Sequence, residues 1–116
     1  MKYNIFVYET AEDFAARTDT QKQGDYWASY SAYTKALEEA GVMAGGAALQ
    51  PPATGTTVRL VGGERHVQDG PLTETKEQLG GYYTIDVPDL DAALKWAAKC
   101  PSASTGGVEV RPLLEM

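Results

Sequence analysis

The sequence predicts an α+β fold, a ferredoxin-like βαββαβ antiparallel sheet with helices on one face and an extra β-hairpin. Two observations predict it. Strand-like and helix-like segments follow one another in the order β-α-β, then β-α-β, and a Gly62-Gly63 doublet joins two further alternating segments between these halves. With 116 residues, the chain has the length of one domain with one core. We therefore expect residues 1–116 to form a single domain.

The chain opens with a strand and a short helix. Lys2 to Tyr8 has apolar residues at both parities, so both faces of this strand need cover. Thr10 followed by Asp13 predicts a helix start, because the hydroxyl caps an early N–H and the acid lies near the positive end of the helix. We expect this helix to end near Thr20.

The second helix has the clearer period. Between Asp25 and Ala40 one stripe of residues recurs at spacings of three and four, namely Tyr26, Tyr30, Tyr33, Leu37 and Ala40. Gly41 ends this helix. Val42 to Leu49 is short and apolar and predicts a strand, in which Gly45-Gly46 indicates a bulge or the close approach of another backbone.

The Gly62-Gly63 doublet predicts a tight hairpin, because both loop positions of the favoured turn need positive φ. The turn sets the register between residues 56–61 and 64–68. The expected pairs are Val61 with Glu64, Leu60 with Arg65, Arg59 with His66, Val58 with Val67 and Thr57 with Gln68. One face of the hairpin then presents Val58, Leu60, Val67 and Arg65, and the other presents Thr57, Arg59, His66 and Gln68.

The second half continues with a strand, a helix and a final strand. From Gly80 to Val87, one side presents Tyr83, Ile85 and Val87 to the core, and the other presents Tyr82, Thr84 and Asp86. Asp89 is a good N-cap for a helix that closes at Pro101. Its expected inner stripe is Leu90, Ala93, Leu94 and Ala97. Residues 108–111 alternate as the last strand.

Composition excludes several partners. The formal net charge of −6 argues against nucleic acid as a partner, because phosphate binding needs clustered Lys and Arg.

The single Cys100 excludes an intrachain disulfide and fits a reducing compartment, so we expect a cytoplasmic protein. The apolar run Ile5 to Tyr8 is too short for a signal peptide, and no segment has the length of a membrane span. One histidine and scattered carboxylates give no metal-ligand spacing, and we expect neither metal nor cofactor.

Two stretches of the sequence contain specific motifs. Asp69-Gly70-Pro71 is followed by Glu-Thr-Lys-Glu-Gln-Leu-Gly-Gly at residues 74–81, and residues 40–46 read Ala-Gly-Val-Met-Ala-Gly-Gly. With these stretches the chain resembles the DGPF branch of the YCII-related proteins, from Tyr3 to Pro112. The resemblance implies a fold of the dimeric α+β barrel group. It also implies a homodimer through the sheet face, which agrees with the uncovered side of the strand at Tyr82 and Thr84.

Asp69 is the first candidate for a catalytic residue. An aspartate in a turn normally accepts the N–H two residues on, but Pro71 has none, so the carboxylate is freed. The hairpin register places Asp69 on the face of Val58 and Val67, where we expect it to be partly desolvated and able to transfer protons. The alternative is that Asp69 only caps the turn at Leu72 and Thr73.

The resemblance implies that an aspartate pairs with a histidine in a pocket beside the sheet. Alignment backwards from Ala40-Gly41-Val42 puts Tyr30 at the histidine position, which is a departure from the family pattern. Tyr30 can donate a hydrogen bond or, with a lowered pKa, act as an acid, but it lacks the near-neutral pKa of imidazole. His66 lies three positions from Asp69 in one strand, so the two point to opposite faces and form no dyad.

Five further residues are candidates for substrate binding. Trp27 could line a pocket with the neighbouring tyrosines, although such a stripe is also typical of core or dimer contacts. Tyr82 and Asp86 lie on the face of their strand that points away from the core. Lys76 could hold an anionic substrate, or belong to a solvated connector together with Glu77; Glu77 could instead order the Asp69 turn.

Two classes of function stay open. The first is a small-molecule-binding protein or enzyme with a pocket around Asp69, for which the resemblance implies proton transfer or a lactone-type hydrolytic or dehalogenating reaction. The second is a non-catalytic interaction or regulatory module: the resemblance implies an association with extracytoplasmic-function sigma factors, and an acidic surface suits a basic partner. Fold alone does not decide between them.

Overall fold

The structure, a computed structural model, describes residues 1–116 and contains six strands and three α-helices. The elements in chain order are β1 (Lys2–Glu9), α1 (Ala11–Ala16), α2 (Gln23–Glu39), β2 (Met43–Ala48), β3 (Thr56–Val61), β4 (Glu64–Asp69), β5 (Gln78–Asp86), α3 (Leu90–Ala98) and β6 (Gly107–Pro112). Four strands form an antiparallel sheet in the order β2-β5-β1-β6. This order confirms the predicted ferredoxin-like architecture of the dimeric α+β barrel type.

The core lies between the sheet and the helices. Along β1 the odd-numbered residues are buried and the even-numbered residues are only partly covered, as the strand period of two requires. Tyr83 and Ile85 of β5, and Val87 directly after it, join the same side, which confirms the expected division of that segment. Tyr33 and Leu37 of α2 pack onto this face, so the helical stripe predicts the correct side of α2.

The helices differ in detail from the prediction. The expected stripe of α3 is half correct: Ala93 and Ala97 are buried, whereas Leu90 and Leu94 are each 49% exposed. The two buried alanines are four residues apart and so lie on one face of this nine-residue helix, where their small side chains let its backbone approach closely. The first helix ends at Ala16 rather than near Thr20. No helix combines the length and the apolar character needed to cross a bilayer.

The hairpin β3–β4 forms a separate two-stranded sheet, which we call the arm (residues 56–69). All five predicted pairs are confirmed, and Gly62 and Gly63 have φ values of 58° and 83°. Val58, Leu60 and Val67 on one face are 57%, 74% and 57% exposed. The radius of gyration is 15.9 Å, against about 13 Å for a compact chain of this length. The arm therefore extends away from the body of the molecule.

Candidate functional site

A cleft of about 480 Å³ opens between α2 and the edge of the sheet formed by β2 and β5. The helix contributes Tyr26, Trp27, Tyr30, Ser31, Thr34 and Glu38, and the strands contribute Val7, Glu9, Met43, Ala47, Gly80, Tyr82 and Tyr83 among others. This volume falls in the range of small-molecule sites, and the lining combines aromatic rings with a few polar groups, as such sites do.

Glu9 is a buried carboxylate in the wall of this cleft. It continues the buried parity of Tyr3, Ile5 and Val7 at the last position of β1, so the strand period directs an acid toward the core. A β-bulge after Val7 shifts the pairing with β5 at this point. The absence of a side chain at Gly80 makes room for the carboxylate, because a Cβ at Gly80 would lie 2.3 Å from Glu9 Oε1. A glycine at position 80 of β5 therefore leaves the space that the Glu9 side chain occupies.

Arg17 neutralises Glu9 and ties several elements together. Its Nη2 donates to Glu9 Oε1 at 2.7 Å and to the Gly80 carbonyl at 3.0 Å. Its Nη1 donates to the Leu49 carbonyl and its Nε donates to the Tyr26 hydroxyl at 2.9 Å. The guanidinium also lies 4.8 Å from the centre of the Phe14 ring. Arg17 therefore closes one end of the cleft with nearly all its donors engaged.

Two tyrosines of α2 complete the polar end of the cleft. The Tyr26 hydroxyl donates to Glu9 Oε2 at 2.6 Å, and the Tyr30 hydroxyl donates to the same oxygen at 3.4 Å. Burial raises the pKa of both phenols, and the Glu9 carboxylate raises it further. Tyr30 is consequently a neutral hydrogen-bond donor. The lowered pKa that would have made it an acid near neutral pH is not present.

Aromatic rings form the remaining wall. Trp27 meets Tyr26 edge to face with ring centroids 4.8 Å apart, and its Nε1 donates to the Arg17 carbonyl at 3.1 Å. Deeper in the cleft, the Tyr83 and Thr34 hydroxyls are hydrogen-bonded at 3.0 Å. Burial raises the pKa of Tyr83. Flat apolar faces therefore surround a polar end, an arrangement that suits a small ring bearing polar substituents.

Three of the seven predicted site residues meet in the cleft, namely Trp27, Tyr30 and Tyr82. Asp86 does not lie there: it is exposed at the end of β5, and its Oδ1 lies 3.2 Å from the N-terminal ammonium of Met1. Lys76 is exposed and Glu77 is half-buried in the connector between the arm and β5, and neither lines the cleft. Glu77 makes no side-chain hydrogen bond to the Asp69 turn.

Asp69 lies at the end of the arm's second strand, opposite Thr56, and is exposed. The expected partial desolvation was wrong, because the face that Asp69 shares with Val58 and Val67 has nothing packed on it. Within one chain Asp69 is also not among the residues that line the cleft with Tyr30. Its predicted catalytic role stays a prediction. His66 is exposed opposite Arg59, as the register predicts.

Sequence reasoning missed Glu9 and Arg17, the two charged residues at the centre of the site. A signal for Glu9 was present, because it extends the core parity of β1 by one more step. A signal for Arg17 is its spacing of three from buried Phe14 on the short α1. Elsewhere in the chain, no group of three or more His, Cys, Asp or Glu side chains is arranged to hold a metal ion.

Fold and cleft together define a ferredoxin-like α+β protein with a ligand-sized site between its sheet and its second helix. The family model for the YCII-related domain matches residues 1–116. The chain belongs to the YCII-related family.

Two comparisons with known proteins accompany this assignment. The chain is 47% identical over 115 residues to the uncharacterized protein R00369 of Rhizobium meliloti (strain 1021), covering 97% of this chain and 92% of the relative. A solved structure, 5-chloro-2-hydroxyhydroquinone dehydrochlorinase from Burkholderia phenoliruptrix AC1100 in complex with 2,5-dihydroxybenzoquinone, is similar with a TM-score of 0.55 and 15% identity, covering 100% of this chain and 96% of that chain. At this identity the similarity shows a shared fold.

Proposed function

We propose that this protein binds a small organic molecule in the cleft between α2 and the β2–β5 edge. The observation that supports the proposal most directly is Glu9, a carboxylate that is 2% exposed and yet lines an open cleft. Burying a charge costs free energy unless it is paired and hydrogen-bonded. Arg17 and Tyr26 donate hydrogen bonds to Glu9 and supply that compensation, so the chain maintains a paired carboxylate at a ligand-sized opening.

The groups in the cleft also fit an enzyme. Glu9 can accept a proton from a bound molecule, and the neutral Tyr30 hydroxyl can donate a hydrogen bond to an oxygen of that molecule. Both groups reach the same end of the cleft, since Tyr30 lies 3.4 Å from Glu9. The dehydrochlorinase that shares the fold was solved with a small quinone ring bound, which is the size of molecule that this cleft accommodates. We propose proton transfer on such a ligand as the chemistry to test.

Filling the cleft tests this proposal. Ser31 is exposed and lines the cleft, whereas Ser29 is exposed on the same helix and does not. Small ring compounds are screened by thermal shift against wild type, Ser31→Trp and the matched control Ser29→Trp. A ligand of the cleft raises the Tm of wild type and of Ser29→Trp and leaves that of Ser31→Trp unchanged. Equal shifts in the two tryptophan variants for every hit would contradict the proposal.

We further propose that the protein is a homodimer. An isolated two-stranded hairpin is marginal in water, and the arm exposes Val58, Leu60 and Val67 on one face. The outer face of the main sheet, with the half-buried Phe6 and Tyr8, also lacks a covering layer. A second copy that packs on these two surfaces would bury them. Such an assembly would also be the setting in which Asp69, at the base of the arm, could join a cleft.

The dimer is tested by changing one face of the arm at a time. The variant Val58→Lys with Val67→Lys alters the apolar face, and Thr57→Lys with Gln68→Lys adds the same charge on the opposite face. Light scattering after size exclusion should report a dimer for wild type and the second variant, and a monomer for the first. A monomeric wild type at 100 µM, on the order of a weak dimer's dissociation constant, would contradict the dimer.

The alternative function is a protein-interaction module in regulation, with a protein partner on the exposed apolar face of the arm. A monomeric wild type would favour this alternative. For either function we propose a cytoplasmic setting, which the single free thiol of Cys100 supports.

A further inference from the structure

Few charged residues line the cleft, and they are not equally available to a bound molecule. Three charged residues line it: Glu9, Arg17 and Glu38. Arg17 uses four of the five guanidinium N–H groups on Glu9, Tyr26, Leu49 and Gly80, and its side chain is 8% exposed. The cation is therefore committed to the protein. A bound molecule meets a cleft whose remaining charge is negative.

This balance acts against anions. A carboxylate or phosphate placed beside Glu9 meets only acceptor oxygens, because the guanidinium that balances the Glu9 charge has its donors turned to the protein. It also loses its own hydration without gaining the paired donors that a guanidinium supplies elsewhere. The faces of Tyr26, Trp27 and Tyr30 offer negative π-density, which attracts cations and accommodates neutral rings. Lys76, the residue expected to hold an anion, is exposed and does not line the cleft.

Glu9 retains capacity to accept a hydrogen bond. Its two oxygens have about four acceptor positions, and the protein supplies donors from Arg17, Tyr26 and Tyr30. The Tyr30 bond, at 3.4 Å, is well beyond the usual O–H···O length of about 2.7 Å. A ligand hydroxyl or amine can therefore replace the weak contact of Tyr30 with Glu9 Oε2.

We propose that the cleft selects a neutral or cationic ring compound whose hydroxyl or amino group donates a hydrogen bond to Glu9, and that it excludes molecules bearing a carboxylate or phosphate. This inference rests on the proposed binding function of the same cleft. It specifies the ligand class by charge and by donor, which the cleft proposal itself leaves open.

The experiment uses three probes of equal size and different charge: 4-hydroxybenzylamine, 4-hydroxybenzyl alcohol and 4-hydroxybenzoate. Affinities for the wild-type chain and for Ser31→Trp are measured by NMR titration. We expect the amine and the alcohol to bind at least tenfold more tightly than the benzoate, and to lose binding in Ser31→Trp. Benzoate binding of equal or greater strength that Ser31→Trp removes would overturn the ligand class while the cleft proposal stands. If no probe binds in a manner sensitive to Ser31→Trp, both proposals fail.

A second pair of probes isolates the hydrogen-bond donor. We expect 4-methylphenol to bind at least fivefold more tightly than its methyl ether, 4-methylanisole. In Glu9→Gln this preference should shrink, and the benzoate should gain affinity relative to the amine, because Arg17 then lacks its carboxylate partner and the cleft has lost one negative charge. Glu39→Gln, exposed and outside the cleft, should keep the wild-type order. Equal binding of phenol and ether in wild type overturns the role of Glu9, and this comparison needs no variant to fold.

Discussion

Glu9 and Arg17 form a buried ion pair at 2.7 Å, with side chains that are 2% and 8% exposed, at the junction of β1, α1 and β5. Neither partner is replaceable alone. Removing one leaves a largely buried charge without its partner. The pair thus determines both the stability of this end of the molecule and the polarity of the cleft.

Arg17→Met should lower the free energy of unfolding by about 3–5 kcal/mol, because it strands the Glu9 carboxylate. The control is Lys35→Met, which removes a solvent-exposed partner of Glu39 and should cost no more than about 0.5 kcal/mol. Urea denaturation followed by tryptophan fluorescence gives both values. A loss in Arg17→Met as small as that of the control would show that the buried pair contributes little.

Gly80→Ala should destabilise the fold by about 2 kcal/mol or more, because the new Cβ would overlap Glu9 Oε1 at 2.3 Å and overpacking displaces the carboxylate. Gly107→Ala is the matched strand control, since a Cβ there meets nothing within 4 Å. Denaturant melts of both variants measure the difference. Similar stabilities for the two alanine variants would mean that Glu9 moves aside at little cost.

Stability should fall steeply above about pH 10, the ordinary tyrosine pKa. The folded-state pKa values of Tyr26, Tyr30, Tyr33 and Tyr83 are raised, chiefly by burial. Below pH 10 both states are protonated and the full stability is present. Above it the unfolded chain releases protons that the folded chain retains, so each such tyrosine costs about 1.4 kcal/mol per pH unit.

The alkaline prediction is checked by following unfolding and phenolate absorbance together between pH 9 and 12. Phenolate formation at these four tyrosines should coincide with unfolding, and Tyr30→Phe should reduce the slope of stability against pH. Ionisation of all seven tyrosines before any loss of tertiary structure would contradict it.

Tyr83→Ala should cost about 3 kcal/mol or more as a truncated aromatic packed on the core. Asp69→Asn should cost less, within about 0.5 kcal/mol, because Asp69 is exposed at the end of the arm. Chemical denaturation of the two variants decides the order. Equal losses of stability would contradict the view that Tyr83 has a structural role whereas Asp69 serves a site.

The sequence predicted the parts of the fold that depend on interactions between residues close together in the chain. The Gly62-Gly63 turn fixed all five pairs of the arm, and Asp89 caps α3 through the Ala92 N–H as expected. Alternation on β5 assigned Tyr83 and Ile85 to the core. These features depend on neighbours in the chain, which the sequence displays directly.

The site was harder to predict because it depends on distant contacts. Trp27, Tyr30 and Tyr82 line the cleft, but the carboxylates that line it are Glu9 and Glu38, and Asp69 is not among the lining residues. Whether an acid in a strand is buried depends on what covers it, and Arg17 reaches Glu9 from another element. The register places Asp69 on the face of Val58 and Val67 as expected, but those valines are themselves exposed, so they do not shelter the carboxylate.

Cys100 is the only cysteine, and it is 3% exposed beneath the end of α3, with its Sγ 3.6 Å from Ser102 Oγ. Burial raises the pKa of this thiol, so in the folded chain it is both protonated and out of reach. Alkylating reagents can modify it only when that region opens. The rate at which an alkylating reagent labels Cys100 therefore reports how often this region opens and exposes the interior, and no engineered reporter is needed.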